Sequence, residues 1–321
     1  ILVFLACSVG EAADKPNVIV IMADDQGYGD VKAHGHPFIR TPNMDKLCRE
    51  SVRFTDFHVA PMCTPTRGQL LTGVDAMKNG ATAVCQGRSM IRREIPTLAN
   101  YFSDAGYRTI LSGKWHLGDS YPHRPQDRGF QEVLSFRAWG LPSLASHWAN
   151  STINEDIDTN AYVNPTLEHN GVDKKHEGYV TDILFDHAMD QISKSKKAGA
   201  PFFLYLPTST PHTPNIAPEE NNQFYAELKK RKRQEGNLEK DIDVAYYGMI
   251  ENIDDNLGRL ETFLQENRLK ENTILIYLSD NGTQSFRAEG VYNAGMRGKK
   301  RSMWEGGHRV PLFVRWPKGG L

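Results

Sequence analysis

Net charge, cysteine and long apolar runs are all scarce in this sequence of 321 residues. Lys and Arg total 38 against 39 Asp and Glu, a net charge of −1, so the basic footprint of a dedicated nucleic-acid binder is missing. The four cysteines, Cys7, Cys48, Cys63 and Cys85, are too few for a disulfide framework. No stretch of 18 or more apolar residues occurs, so no segment is long and apolar enough to span a bilayer as a helix. No internal repeat is found. What is present has ordinary globular proportions: 39% hydrophobic, 24% charged and 10% aromatic residues exclude wholesale disorder and collagen. The length suits one large domain or two modest ones.

The first residues, Ile1-Leu2-Val3-Phe4-Leu5-Ala6, are apolar, and the small residues Cys7, Ser8, Gly10, Ala12 and Ala13 follow. Residues 1–13 read as the remnant of a secretory signal peptide cleaved near Ala12 or Ala13, with acylation at Cys7 as the alternative. The expected location is outside the cytoplasm: periplasmic, secreted or lipoprotein-anchored.

Short apolar runs alternate with helical patterns, which predicts an α/β fold with a mainly parallel central sheet and helices on both faces. Predicted strands cover Asn17–Ala23, Tyr107–Ser112, Pro201–Leu206, Thr273–Leu278 and Val310–Val314. Predicted helices cover Pro96–Ala105, Glu177 to about Ser195, and Leu238 to Asn267. A further helix opens at Thr41-Pro42 and puts Cys48 on one face with Met44, Leu47 and Ser51, as a core thiol; Cys85 could pair with it. Asp254-Asp255 falls within the longest helix and reads as polar-face or cap chemistry rather than a metal site. The run Lys229-Lys230-Arg231-Lys232-Arg233 reads as a solvated helix face, with a polyanion-docking patch as the sharper reading. Asp119 to His176 has little periodicity and is expected to lie as long loops over one face, where specificity tends to reside. Its Trp139, His147 and Trp148 are equally suited to stacking on a sugar or to anchoring a loop.

Ligands of open parallel sheets bind beyond the carboxyl ends of the strands. Two strands end there in oxygen donors, Asp24-Asp25 and Asp280-Asn281. Either pair alone would read as a turn cap. Two pairs from two strands favour a hard cation, Ca²⁺ or Mg²⁺, because neither sulfur nor imidazole stands beside them. Lys114 and His116 follow another strand, His212 a fourth, and Lys299-Lys300 lie in a glycine-rich turn after the strand that ends in Asp280-Asn281. Together with a divalent cation they make an electropositive pocket for a phosphate or sulfate ester. Pro65 suits the first turn of a helix, which puts Cys63 at its N-terminal end, where a thiol should be acidic and reactive. Arg67 follows four residues on, on the same face.

Cys63-Thr64-Pro65-Thr66-Arg67 resembles the Cys-X-Pro-X-Arg signature of the formylglycine-dependent sulfatases of the alkaline-phosphatase-like superfamily. Asp24-Asp25-Gln26-Gly27-Tyr28-Gly29-Asp30 is similar to that family's first metal motif, and Gly113-Lys114-Trp115-His116-Leu117-Gly118 to its second signature. Pro211-His212-Thr213-Pro214, Ser279-Asp280-Asn281-Gly282 and Trp304-Glu305-Gly306-Gly307-His308-Arg309-Val310-Pro311 are similar to further motifs, in family order. The resemblance implies a sulfuric ester hydrolase acting on aryl or carbohydrate sulfates, with residues 14–321 as its catalytic domain. It implies that a separate maturation enzyme oxidises Cys63 to Cα-formylglycine, and that the hydrate of this aldehyde is the nucleophile. It also implies Ca²⁺ held by Asp24, Asp25, Asp280, Asn281 and the modified Cys63. Arg67 would hold the hydrate, Lys114 and Lys300 the sulfate; His212 would protonate the leaving oxygen, and His116 would assist expulsion of sulfate. A phosphonate monoester or phosphodiester hydrolase of the same superfamily, or a non-catalytic sulfoglycan-binding protein, are the alternatives.

Two departures from the family pattern stand out. The stretch Arg297-Gly298-Lys299-Lys300 replaces the usual Arg-Gly-Gly-Lys, so spacing from Glu305 selects Lys300 while Lys299 stays eligible. His308 replaces an aliphatic residue. The family's smaller C-terminal subdomain, with its antiparallel sheet, has no counterpart before Leu321, which implies a catalytic set without that part of the fold.

Overall fold

The computed structural model describes residues 15–84, 89–137, 141, 162–236, 242–285 and 292–321. Residues 1–13, read above as a signal-peptide remnant, Cys85, Trp139, His147, Trp148 and the expected helix start at Leu238 lie outside them.

The central strands are β1 (Asn17–Ala23), β3 (Arg108–Ser112), β4 (Glu132–Ser135), β7 (Phe202–Pro207) and β8 (Thr273–Ser279). Shorter strands are β2 (Val52–Phe54), β5 (Thr166–His169), β6 (Val172–Lys175) and β9 (Leu312–Arg315). Among the described residues they form one nine-stranded sheet in the order β2-β9-β8-β1-β7-β3-β4-β5-β6. The pairings from β8 through β4 are parallel, and those at both margins are antiparallel.

Alternation along β1 explains the layers. Ile19, Ile21 and Ala23 face one core, with α1 (Pro42–Arg49), α5 (Val180–Lys197), α6 (Glu219–Gln234) and α7 (Val244–Glu266). Val18, Val20 and Met22 face the other, with α2 (Cys63–Thr72) and α4 (Leu98–Asp104). Such two-sided burial is why the parallel strands read as continuous apolar runs. Two short helices, α3 (Ala76–Asn79) and α8 (Glu305–His308), sit in connections. None of the described helices is long and apolar enough to cross a membrane.

The predicted central strands and helices are found with shifts of a few residues at their ends. Pro42 opens α1, and Met44, Leu47 and Cys48 are buried on its inner face. The basic run from Lys229 lies on α6. Asp254 is a cap, as expected: it accepts hydrogen bonds from the backbone N–H groups of Asn43 and Met44 at the start of α1 (3.0 and 2.6 Å). His308, the unusual residue, brings its Nδ1 to 2.8 Å from His58 Nδ1, with the two rings tilted at 45°. The expectation of long loops from Asp119 to His176 needs correcting, because β4 and the β5–β6 hairpin lie inside it. Their signal was the turn Asn170-Gly171, where both residues take positive φ (50° and 90°), the conformation of a two-residue hairpin.

Candidate active site

Because β8, β1, β7 and β3 are adjacent and parallel, their carboxyl ends share one edge. β1 delivers Asp24 and Asp25, and β8 delivers Asp280 and Asn281. β3 turns through Gly113 into Lys114, and β7 leads to His212. Gly113 has φ +133°, and a Cβ there would collide with the Pro207 carbonyl oxygen, so only glycine lets this turn close. Asp25 (φ 76°) and His116 (φ 59°) also take left-handed backbone, strain held at the point where the groups converge.

The three buried carboxylates each have a cation. Lys114 Nζ donates to Asp24 Oδ2 at 2.6 Å. Lys300 Nζ lies 2.6 and 2.7 Å from the two oxygens of Asp25. Arg67 donates through Nε and Nη2 to Asp280 Oδ2 (2.9 and 2.7 Å) and through Nη1 to the Lys114 carbonyl (3.0 Å). Arg67, Lys114, Asp24, Asp25 and Asp280 are all fully buried. Formal charge is therefore balanced before any divalent ion is counted, and such an ion leaves a net positive site for an anion.

Burial pushes Asp24 up, but Lys114, His212 and Arg67 outweigh it and hold the carboxyl below its ordinary range. Burial lowers both His212 and His116, the latter strongly with the charges of Lys114 and Arg67 adding to it, which favours the neutral ring in each. His212 Nδ1 lies 2.7 Å from the Thr213 carbonyl and donates to it, which turns Nε2 toward Asp25 Oδ2 at 3.7 Å.

Cys63 opens α2, as predicted, but its thiol is not the acidic one expected of a helix N-terminus. Burial pushes its pKa up to about 12, with Asp280 and Asp24 adding to the rise against Lys114 and Lys300. Depth outweighs the helix terminus. The loop carrying Lys300 is pinned beside Cys63 by Arg301 N–H donating to the Pro61 carbonyl (2.9 Å) and Lys300 N–H to that of Thr283 (3.0 Å).

The residues present fit a hard cation. Ligand atoms of Asp24, Asp25, Cys63 and Asp280 lie within 4.8 Å of one another. Two buried oxygens there, Asp24 Oδ1 and Asn281 Oδ1, have no hydrogen-bond partner, and a buried oxygen left so is costly unless something else meets it. Arg67 Nη2 approaches Asp24 Oδ1 only to 3.5 Å. Above this floor a cavity of about 440 Å³ is lined by Cys63, His116, His212, Lys299 and Lys300. All the sequence-predicted site residues thus meet at one edge.

A Sulfatase family model matches residues 16–321. The chain belongs to the sulfatase family. It is 29% identical to N-acetylgalactosamine-6-sulfatase of Canis lupus familiaris over 99% of this chain, and 28% identical to arylsulfatase G of Rattus norvegicus over 95%. It spans 60% of the length of each of these curated relatives. Among solved structures, Ps i-CgsB in complex with k-i-k-neocarrahexaose is 33% identical with a TM-score of 0.80, covering 95% of this chain and 66% of that one. These likenesses agree with the expected alkaline-phosphatase-like sulfatase fold.

Gln284 and Tyr246 are additions to this sulfatase-family site that sequence reasoning missed. In its hydrogen-bonding orientation the Gln284 amide nitrogen donates to Asp25 Oδ2, and its oxygen accepts from Thr213 Oγ1 (2.9 Å) and N–H (3.1 Å). Tyr246 Oη donates to the Asp25 carbonyl oxygen at 2.8 Å and lies 2.7 Å from Asp30 Oδ2. Gln284 stands just past Asp280-Asn281, and that nearness was its signal. Tyr246 sits on the apolar stripe of α7 and gave none.

Proposed function

We propose that this chain hydrolyses sulfate esters, aryl or carbohydrate, with residues 14–321 serving as the catalytic domain and Cys63 as the precursor of the nucleophile. One observation carries this reading: Cys63 lines the cavity while lying among three carboxylates and three cations. A thiol held protonated by burial is a poor nucleophile, so the position makes sense as a site of conversion rather than of thiolate attack. Oxidised to formylglycine and hydrated, Cys63 would supply one hydroxyl to attack sulfur and a second whose deprotonation expels sulfate. Asp24, Asp25, Asp280 and Asn281 would hold Ca²⁺, which supplies charge to the sulfuryl oxygens and acidifies a bound hydroxyl.

The other side chains divide the remaining work. Lys114 and Lys300 reach the carboxylates with flexible stems and can turn to the sulfate oxygens once a divalent ion takes over those carboxylates. Lys300, whose Nζ reaches Asp25, suits the lysine role better than Lys299. An arriving sulfate anion raises the proton affinity of His212, fitting its Nε2 to protonate the leaving oxygen. His116 has no hydrogen-bond partner at either ring nitrogen and is suited to take the proton in the expulsion step. Arg67 fixes Asp280 and leaves Cys63 one turn away. The substrate class draws support from the names of the relatives, and no observation favours the phosphonate, phosphodiester or non-catalytic alternatives.

The test is a pair of assays with mass spectrometry of the Cys63 peptide after co-expression with a formylglycine-generating enzyme. Turnover of an aryl sulfate that tracks the modified fraction, with a phosphate diester far slower, is expected. Preference for the diester, or turnover by unmodified Cys63 protein, would contradict the proposal.

A further inference from the structure

A second cluster lies toward the antiparallel margin of the sheet and takes no part in the chemistry above. Glu132 opens β4, His169 closes β5, and His187 projects from α5. Glu132 Oε1 lies 2.7 Å from His169 Nε2 and 3.3 Å from His187 Nε2. One ligand atom from each residue falls within 4.8 Å of the others.

The proton positions are what make this cluster unusual. Ser112 Oγ donates its single proton to the Leu184 carbonyl at 2.8 Å, so toward His187 Nδ1, 3.1 Å away, it accepts. The neutral His187 ring then carries its proton on Nδ1 and turns the Nε2 lone pair toward a carboxylate oxygen. Two acceptors face each other. An imidazole whose second nitrogen is fixed by an outer hydrogen bond is also how metal-ligating histidines are held.

We propose that Glu132, His169 and His187 form a second metal site, selective for Zn²⁺ or a similar first-row transition ion rather than Ca²⁺. Two imidazoles and one carboxylate are a donor set for such ions, whereas Ca²⁺ takes oxygen. Tetrahedral bonds of about 2.0–2.1 Å separate ligand atoms by roughly 3.4 Å, close to the His187 spacing and a small expansion of the His169 one. The His169 side chain is 38% exposed, which gives the ion access and leaves room for a water as fourth ligand. Arg108 approaches the other Glu132 oxygen, Oε2, at 3.7 Å and donates to Gln191 Oε1 at 2.5 Å, so it does not claim Oε1. The bound ion would fasten the β5–β6 hairpin to β4 and α5.

The test uses the intact chain in excess Ca²⁺, so that the oxygen-donor site is taken. Competition with a chromophoric chelator should give one Zn²⁺ per chain, Co²⁺ should produce the visible absorption of a four-coordinate ion, and Zn²⁺ should raise Tm. His169→Ala, at an accessible position, should weaken Zn²⁺ binding at least about tenfold, and Ser112→Ala, which keeps all three ligands, by about 10–100-fold. Circular dichroism without Zn²⁺ checks that both variants fold. Absence of Zn²⁺ binding by the parent chain overturns the proposal. So does an affinity unchanged in His169→Ala, or one lost only on replacing Cys63.

Discussion

Two Asp-Asp pairs, Asp24-Asp25 and Asp254-Asp255, look alike in the sequence and behave differently in the fold. Asp24 and Asp25 end a central parallel strand, and each is met by a lysine ammonium. Asp254 sits on a helix, and its hydrogen bonds come from neutral amides: Asn43 N–H and Nδ2 and Met44 N–H. Its neighbour Asp255 is exposed and accepts from Asn221 Nδ2 at 2.8 Å. Burial pushes Asp254 up to about 7, whereas Lys114 keeps Asp24 below its ordinary range. A buried carboxylate opposed by cations is poised to hold a metal and an anion; one opposed only by amides is a helix cap.

The largest effect should come from breaking the charge balance. Asp280→Ala leaves Arg67 fully buried without its main partner, a change that typically costs about 3–5 kcal/mol. It also removes a proposed metal ligand, so sulfate-ester turnover should fall by roughly 10³-fold or more. Denaturant unfolding and aryl sulfate kinetics read the two losses, and added Ca²⁺ should restore little. Next comes removal of the ion: excess chelator should abolish most turnover, and Ca²⁺ should restore it while raising Tm, without an equal effect from Zn²⁺ at the oxygen-donor site. Full activity in chelator would sink the metal assignment.

Asp254→Ala sharpens the contrast from the other side. It orphans N–H groups at the start of α1 and should cost about 1–3 kcal/mol in urea unfolding while kcat stays near the parent value. The smallest effect is in pH. Because folding raises the Asp254 pKa from 3.8 to about 7, its contribution is full below pH 3.8 and lost as pH rises through about 7. The stability advantage of the parent over Asp254→Asn should therefore shrink across that window. His34 and His36, held by burial near 4 and 3, lose stability in the opposite direction as pH falls below 6.5, and they cancel between the two proteins.

Much of this was legible because strand ends announce themselves. Apolar runs stop at Asp24, Lys114 and Asp280, and parallel pairing then requires those residues to share an edge. Register and depth were not legible. The position of Cys63 on α2 follows from Pro65, but its raised pKa follows from burial and from Asp280 and Asp24, which arrive from distant strands. Gln284 is positioned by Thr213, on another loop, and no local pattern couples the two. The β5–β6 hairpin escaped because its outer strand, Val172-Asp173-Lys174-Lys175, is exposed and polar, leaving only the Asn170-Gly171 turn to mark it.

The central claim is that Cys63 gives rise to the nucleophile, and turnover of a sulfate ester by Cys63→Ser tests it most directly. Serine offers one hydroxyl, which can accept the sulfuryl group but cannot expel it by elimination. The account predicts loss of turnover, an intact fold by circular dichroism, and any transferred sulfuryl group trapped as a covalent sulfo-enzyme in mass spectrometry, with at most one equivalent of alcohol or phenol released per chain. Parental turnover by Cys63→Ser would contradict it.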